Sequence, residues 1–239
     1  MKYSPRIDYL IQQVPNTANV IDVAADHGYV AITLSKINNQ RKIIASDIAL
    51  GPLNAGKQNA QKQGIENIDF RLGDGFSVLK HDDTVDVAII AGIGGKLMEQ
   101  MLEQGIQWNI PTYILQANND VQAIRHWLYE HGYQLLQDER IPDGNFIYEC
   151  LVAQKSDTLP LTRQYPTTEM QRELSFFFGP EHIKRNNKIY KQWLIKKITL
   201  YKEKIEQMQY SKNENTIHKI DFYQRLVDYG QERLAQLEE

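Results

Sequence analysis

Residues 20–29, Val20-Ile21-Asp22-Val23-Ala24-Ala25-Asp26-His27-Gly28-Tyr29, decide the reading of the chain. An apolar run with an acid near its tip passes through small residues into an amphipathic stretch that begins at Tyr29. A strand leading into a helix through such a turn lets a ligand approach the backbone. It also offers free N–H groups at the helix start, at the carboxyl edge of a sheet. An ordinary strand-to-helix turn reads the same way on this segment alone. Asp22 and Asp26 argue against pyrophosphate, which avoids acids, and for a ligand with a positive group such as the amino end of S-adenosylmethionine.

Working outward, short apolar runs alternate with amphipathic stretches up to about residue 153. This is the pattern of an α/β fold with a mainly parallel, doubly wound sheet. Ser4-Pro5 predicts a helix over 5–14. Strands are expected at 19–23, 42–46, 68–72, 85–91, 112–116, 133–141 and 146–152, with helices near 29–37, 52–63, 96–104 and 121–131 between them. Pro142-Asp143-Gly144 predicts a tight turn, so the last two strands should pair as an antiparallel hairpin. The polar stretch 154–168, with Pro160 and Pro166, reads as a linker, dividing the chain into a domain over 1–160 and a helical one over 161–239. In the latter, Ile183, Tyr190, Leu194, Ile198, Tyr201, Ile205 and Met208 form one helical seam, and Ile217, Ile220, Tyr223, Val227, Leu234 and Leu237 another. The polar break 211–215 between them predicts an antiparallel coiled-coil hairpin. Phe176-Phe177-Phe178 is expected to dock that hairpin on the main domain.

The expected second strand ends at Asp47, 25 residues after Asp22, where an acid accepts from a ribose diol. That spacing also suits a nicotinamide enzyme, but G-x-G-x-x-G is missing, and a third acid stands at the third strand tip in Gly73-Asp74-Gly75. Asp74 there suits an adenine amino group. After the fourth strand, Gly92-Ile93-Gly94-Gly95 lets backbone come near a substrate, or is simply a tight turn. After the fifth, Gln116 and Asn118 carry amides suited to a base edge; Asn118 alternatively caps the next helix, for which Asp120 is the better candidate. His27, beside Asp26, reads equally as a catalyst or a local hydrogen bonder. The remaining histidines show no metal-ligand spacing, so no metal site is expected.

The single cysteine, Cys150, lies in an apolar run and reads as a core thiol; it excludes an internal disulfide framework. No apolar run of about 18 residues suggests a membrane span, so the protein reads as soluble and cytoplasmic. The net charge is −3, but between positions 184 and 204 eight basic residues (Lys184, Arg185, Lys188, Lys191, Lys196, Lys197, Lys202, Lys204) face one acid, Glu203. A basic rod on an acidic domain points to a polyanionic partner, or is a solvated helix face.

Taken together, Asp22-x-x-x-Asp26-His27-Gly28-Tyr29, Gly51-Pro52 after Asp47, Gly73-Asp74-Gly75, Ala91-Gly92-Ile93-Gly94-Gly95, the Gln116/Asn118 pair and Tyr148-Glu149 resemble the bacterial TrmK family. Its members methylate N1 of adenine 22 in tRNA. The resemblance spans nearly the whole chain and implies a Rossmann-like, seven-stranded class I methyltransferase sheet followed by a coiled-coil domain. It implies a protein, expected here as a monomer, that binds tRNA and uses S-adenosylmethionine, held by Asp22, Ala24, Gly28, Tyr29, Asp47, Ile48, Gly73, Asp74, Gly75, Ala91 and Gly92. Asp26 and His27 become the catalytic candidates. Ile93, Gly94, Gln116, Asn118, Lys184, Arg185, Lys188, Lys191, Lys196 and Lys197 become the substrate contacts. Ala24 stands where the family has glycine, and Ala117 where its Gln-Pro-Asn motif has proline. The competing readings are a methyltransferase acting on another RNA, a protein or a small molecule, and a non-catalytic RNA-binding protein.

Overall fold

The computed structural model describes residues 4–156, 165–180, 187–210 and 213–237. After helix α1 (Pro5–Gln12), strands β1 (Val20–Val23), β2 (Ile43–Asp47), β3 (Ile68–Leu72), β4 (Val87–Ile93), β5 (Thr112–Ala117), β6 (Tyr133–Asp143) and β7 (Phe146–Lys155) form one sheet. Its order is β3-β2-β1-β4-β5-β7-β6. β1 to β5 pair in parallel, while β7 inserts antiparallel between β5 and β6. From β1 the chain winds outward to β3 and then returns to lay β4 on the other side of β1. This reversal opens a crevice at the carboxyl ends of β1 and β4.

Helices cover both faces because the central strands are apolar on both. Ile21, Val23, Ala88, Ile90, Tyr113 and Leu115 join a core with α4 (Gly95–Gly105) and α5 (Val121–Glu130). Val20, Ile43, Ala45, Val87, Ile89 and Ile114 join another with α1 and α2 (Tyr29–Ile37), while α3 (Leu50–Gln61) leads from β2 to β3. Cys150 belongs to the second core, where burial pushes its thiol up to about 12.

The turn of the β6–β7 hairpin falls at Gly144 and Asn145, since Asp143 pairs with Phe146. The fourth strand is longer at its carboxyl end than its apolar run predicts. Gly92, at φ 79°, bulges out, and pairing resumes between Ile93 and Ala117.

In the C-terminal part, α6 (Glu169–Phe178) precedes α7 (Asn187–Met208) and α8 (Glu214–Gln236). The last two run antiparallel: Gly230 lies against Ile198, whereas Lys204 lies over the Tyr223 ring. Tyr190, Leu194, Ile198, Tyr201 and Val227 are buried as the seams predict, joined by Trp193 and Leu226, but Ile217 is 52% exposed. Ile183 and the expected domain division at 160–161 lie outside the described residues.

Helix α6 belongs to two cores. Phe176 packs with the sheet core, while Leu174 and Phe178 pack with α7 and α8. Beside it lies a buried ionic cluster. Arg125 donates to Asp138 at 2.9 Å, to Glu149 at 2.5 Å and to the Phe176 carbonyl at 2.8 Å. Arg140 bonds to Asp138 and, at 3.0 Å, to the Phe178 carbonyl. Arg233 of α8 reaches the Gly179 carbonyl at 2.6 Å, and Lys197 of α7 lies 3.5 Å from Glu149. Burial alone would raise the Glu149 carboxyl, but Lys197, Arg125 and Arg140 hold it down at about 2. No helix among the described residues is long and apolar enough to cross a membrane.

Candidate active site

The loops the sequence singles out lie at the carboxyl ends of β1 to β5, on both sides of the point where the strand order reverses. Asp22, 4% exposed at the tip of β1, keeps one carboxylate oxygen, Oδ2, buried without a hydrogen-bond partner. Burial pushes this carboxyl up to about 7; the Ala31 amide in the first turn of α2 pulls it down, and the charge of Asp47 pushes it further up.

The β1–α2 loop turns sharply. Ala24 and Asp26 sit at φ 57° and 49°, and Gly28 at 71°. Gly28 also admits no side chain cheaply, because a Cβ would meet the Phe70 ring at 3.2 Å. Left-handed backbone costs a residue with a Cβ roughly 1–2 kcal/mol, so this geometry explains why glycine suits position 24. Ala24→Gly should therefore stabilise the fold by about 1 kcal/mol and raise Tm by about 2–4 °C; a lower melting temperature would show the strain to be absent.

Asp47 ties two loops together. Its Oδ2 accepts from the Asp26 amide at 3.1 Å and its Oδ1 from the Ala49 amide at 2.8 Å. Ile48 is exposed beside it. At the next tip Gly73 donates to the Asp47 carbonyl, Asp74 is exposed, and Gly75 is buried. Asp26 points its carboxylate outward, its side chain 65% exposed, with His27 Nε2 3.6 Å away. His27 in turn tilts against the Tyr29 ring.

On the β4–β5 side, Ala91, Gly92, Ile93 and Gly94 form the rim, and Gly92 has open space where a side chain would be. Gln116 corrects the sequence reading. It is fully buried, so it faces no base edge; its Oε1 accepts from Arg6 Nη1 at 2.6 Å and its Nε2 donates to Asn118 Oδ1 at 3.2 Å. Asn118 Nδ2 then donates to the Gly92 carbonyl at 2.7 Å. A guanidinium only donates and a carbonyl only accepts, so both amides are fixed in orientation from the two ends of this relay. Arg6, which also stacks 4.6 Å over Tyr148, is the member that the sequence reading missed. Neither Asn118 nor Asp120 caps α5 with its side chain; Asn119 instead accepts from the Gly95 amide at 2.9 Å, at the start of α4.

Of the basic rod, Lys188 and Lys196 are exposed and Lys191 is partly so. Lys197 differs from its neighbours, since its ammonium faces Glu149 and the Trp193 ring. Lys184 and Arg185 lie outside the described residues.

Residues 20–227 match the model of the family described as TrmK, tRNA (adenine(22)-N(1))-methyltransferase. The chain belongs to the TrmK family. It is 30% identical over 197 residues to the tRNA (adenine(22)-N(1))-methyltransferase of Bacillus subtilis, covering 81% of this chain and 80% of that protein. The crystal structure of the B. subtilis TrmK superposes with a TM-score of 0.83 at 26% identity, over 98% of this chain and 99% of that one. A candidate tRNA (m1A22) methyltransferase of Streptococcus pneumoniae, solved with S-adenosyl-L-methionine, superposes with a TM-score of 0.73 at 26% identity, over 95% and 100%. Like other TrmK proteins, this chain is a methyltransferase that uses S-adenosylmethionine.

Proposed function

We propose that the protein methylates N1 of adenine 22 in tRNA, acting as a monomer in the cytoplasm. The observation that carries the reading is the row Asp22, Asp47, Asp74 at the tips of β1, β2 and β3, with Asp22 Oδ2 buried and unpartnered at the crevice. That orphan oxygen fits the ammonium of S-adenosylmethionine. Asp47 retains lone pairs for a ribose diol, and Asp74 suits the adenine amino group of the cofactor. Ala24, Gly28, Tyr29, Ile48, Gly73, Gly75, Ala91 and Gly92 complete the walls.

Bound S-adenosylmethionine supplies a methyl group on a sulfonium. Adenine N1 carries a lone pair in its neutral form, so the protein must chiefly hold the base in line. Asp26 accepts from the target amino group and offsets the positive charge that develops on the ring, while His27 orients Asp26. Asn118, Ile93 and Gly94 meet the base, and Lys184, Arg185, Lys188, Lys191 and Lys196 meet phosphates. Lys197 serves the ionic cluster instead. The test is transfer of labelled methyl groups to an unmodified transcript and to one with guanine at position 22; equal labelling of both would overturn the position assignment.

Two further results are expected. The raised Asp22 carboxyl binds its proton more tightly in the folded state, so its ionisation costs stability as pH climbs from 3.8 through about 7. A cofactor ammonium needs the carboxylate, so affinity for S-adenosylmethionine should be about fivefold tighter at pH 7 than at pH 6. Asp22→Asn should flatten that dependence, and an unchanged pH profile in that variant would remove Asp22 from the site. Arg6→Met leaves Gln116 Oε1 buried and unpaired, a cost of about 1–3 kcal/mol. It removes one of the relay's two anchors and leaves Asn118 held from the Gly92 end alone, so kcat should fall about tenfold with cofactor affinity unchanged; an unaltered kcat argues against the relay.

A further inference from the structure

A second concavity lies beside the crevice, between the β5–α5 loop and the C-terminal helix pair. It encloses about 950 Å³, and its floor and sides include Phe177, Phe222, Tyr223, Lys204, Lys219 and Asn118. Phe177 and Phe222 meet edge to face at 5.5 Å, and Tyr223 stacks on Tyr201 at 5.8 Å with Lys204 over its ring at 5.2 Å. Lys219 and His218 on α8 are exposed at the rim. Aromatic faces beneath basic groups are what an unstacked nucleotide requires: the base takes the rings and its phosphate the cations. Asn118 joins the two places, because it lines this cleft while its Nδ2 holds the Gly92 carbonyl at the rim of the methyl-transfer crevice.

We propose that this cleft receives a nucleotide adjoining the target adenine, its base against Phe222 and Tyr223 and its phosphate near Lys204 and Lys219. The assignment rests on tRNA being the substrate. Its sense is mechanical. An adenine drawn out of a folded RNA leaves a neighbour without a stacking partner, and the cleft supplies one, lowering the cost of exposing the target. The occupant is nucleic acid rather than an apolar protein segment because the wall contributes Lys204, Lys219 and His218 against one acid, Asp120.

The test uses the full chain and tRNA transcripts carrying 2-aminopurine at one position flanking the target adenine at a time. Wild-type protein should change the fluorescence of at least one of them on binding. Phe222→Leu should weaken transcript binding about tenfold with S-adenosylmethionine affinity unchanged. Lys219→Gln, on an exposed side chain, should reduce the salt slope of binding by about one ion. If wild type methylates the transcript while no probe responds and both variants bind normally, the cleft belongs to a protein partner or to nothing, and the proposal falls alone. If wild type neither binds nor methylates any transcript, the functional reading falls and takes the cleft with it.

Discussion

Asp26→Asn should reduce kcat by about 10²-fold or more while leaving the dissociation constant for S-adenosylmethionine close to that of the wild type. The carboxylate stands clear of the protein, with His27 as its neighbour at 3.6 Å, so it contributes little to holding the fold. Its backbone sits at φ 49°, a conformation that asparagine tolerates as readily as aspartate. The substitution therefore removes the charge and keeps the loop. On the mechanism proposed above, what it removes is an acceptor beside the ring that becomes positive, a contribution worth about 10²–10⁴ in comparable acid–base roles. Single-turnover methylation beside a cofactor titration separates the two effects. A variant that turns over at the wild-type rate would exclude Asp26 from the chemistry.

Glu149→Gln should destabilise the fold severely. It strips one charge from a cluster in which Arg125, Arg140 and Lys197 converge on Glu149. Removing one partner of a buried ion pair leaves the other charge uncompensated, at a cost of about 3–5 kcal/mol, and for a chain of this size Tm should fall by about 10 °C. Acid offers a second measure. Because the Glu149 carboxyl is held down at about 2, below its ordinary 4.5, its contribution is complete above 4.5 and is lost as pH falls towards 2. The variant should lack that part of the acid transition. If calorimetry finds both curves superimposable, the cluster is not a stabilising unit.

The parts of this fold that are legible in the sequence are those with a local signature. Apolar runs locate β1, β2, β4 and β5, the alternation of Ile68, Phe70 and Leu72 with charged residues locates β3, and the acids Asp22, Asp47 and Asp74 are read at their tips because each ends a strand within a few residues. The relay is not legible, since Arg6 and Gln116 are 110 residues apart and an arginine near a chain end ordinarily faces water. The same blindness applies to Arg125, Arg140 and Arg233, which look like surface charges and are buried. It also makes Lys197 look like one of several free lysines. Periodicity alone does not separate Ile217, which is exposed, from Leu226, which is buried, because both fall within a helix turn of the seam. Nor does composition reveal backbone sign: the left-handed turn at Ala24 shows only in the folded chain.

Helix α6 sets a distance. With Phe176 embedded in the sheet core, Phe178 in the helical one, and both their carbonyls held by buried arginines, α7 and α8 are packed onto the sheet domain and are not an arm tethered to it. They are set at a fixed place beside it. If they hold the tRNA as proposed, a transcript whose gripped segment lay one nucleotide too far from its adenine would be bound and left unmodified, and the enzyme would measure its substrate as well as read it.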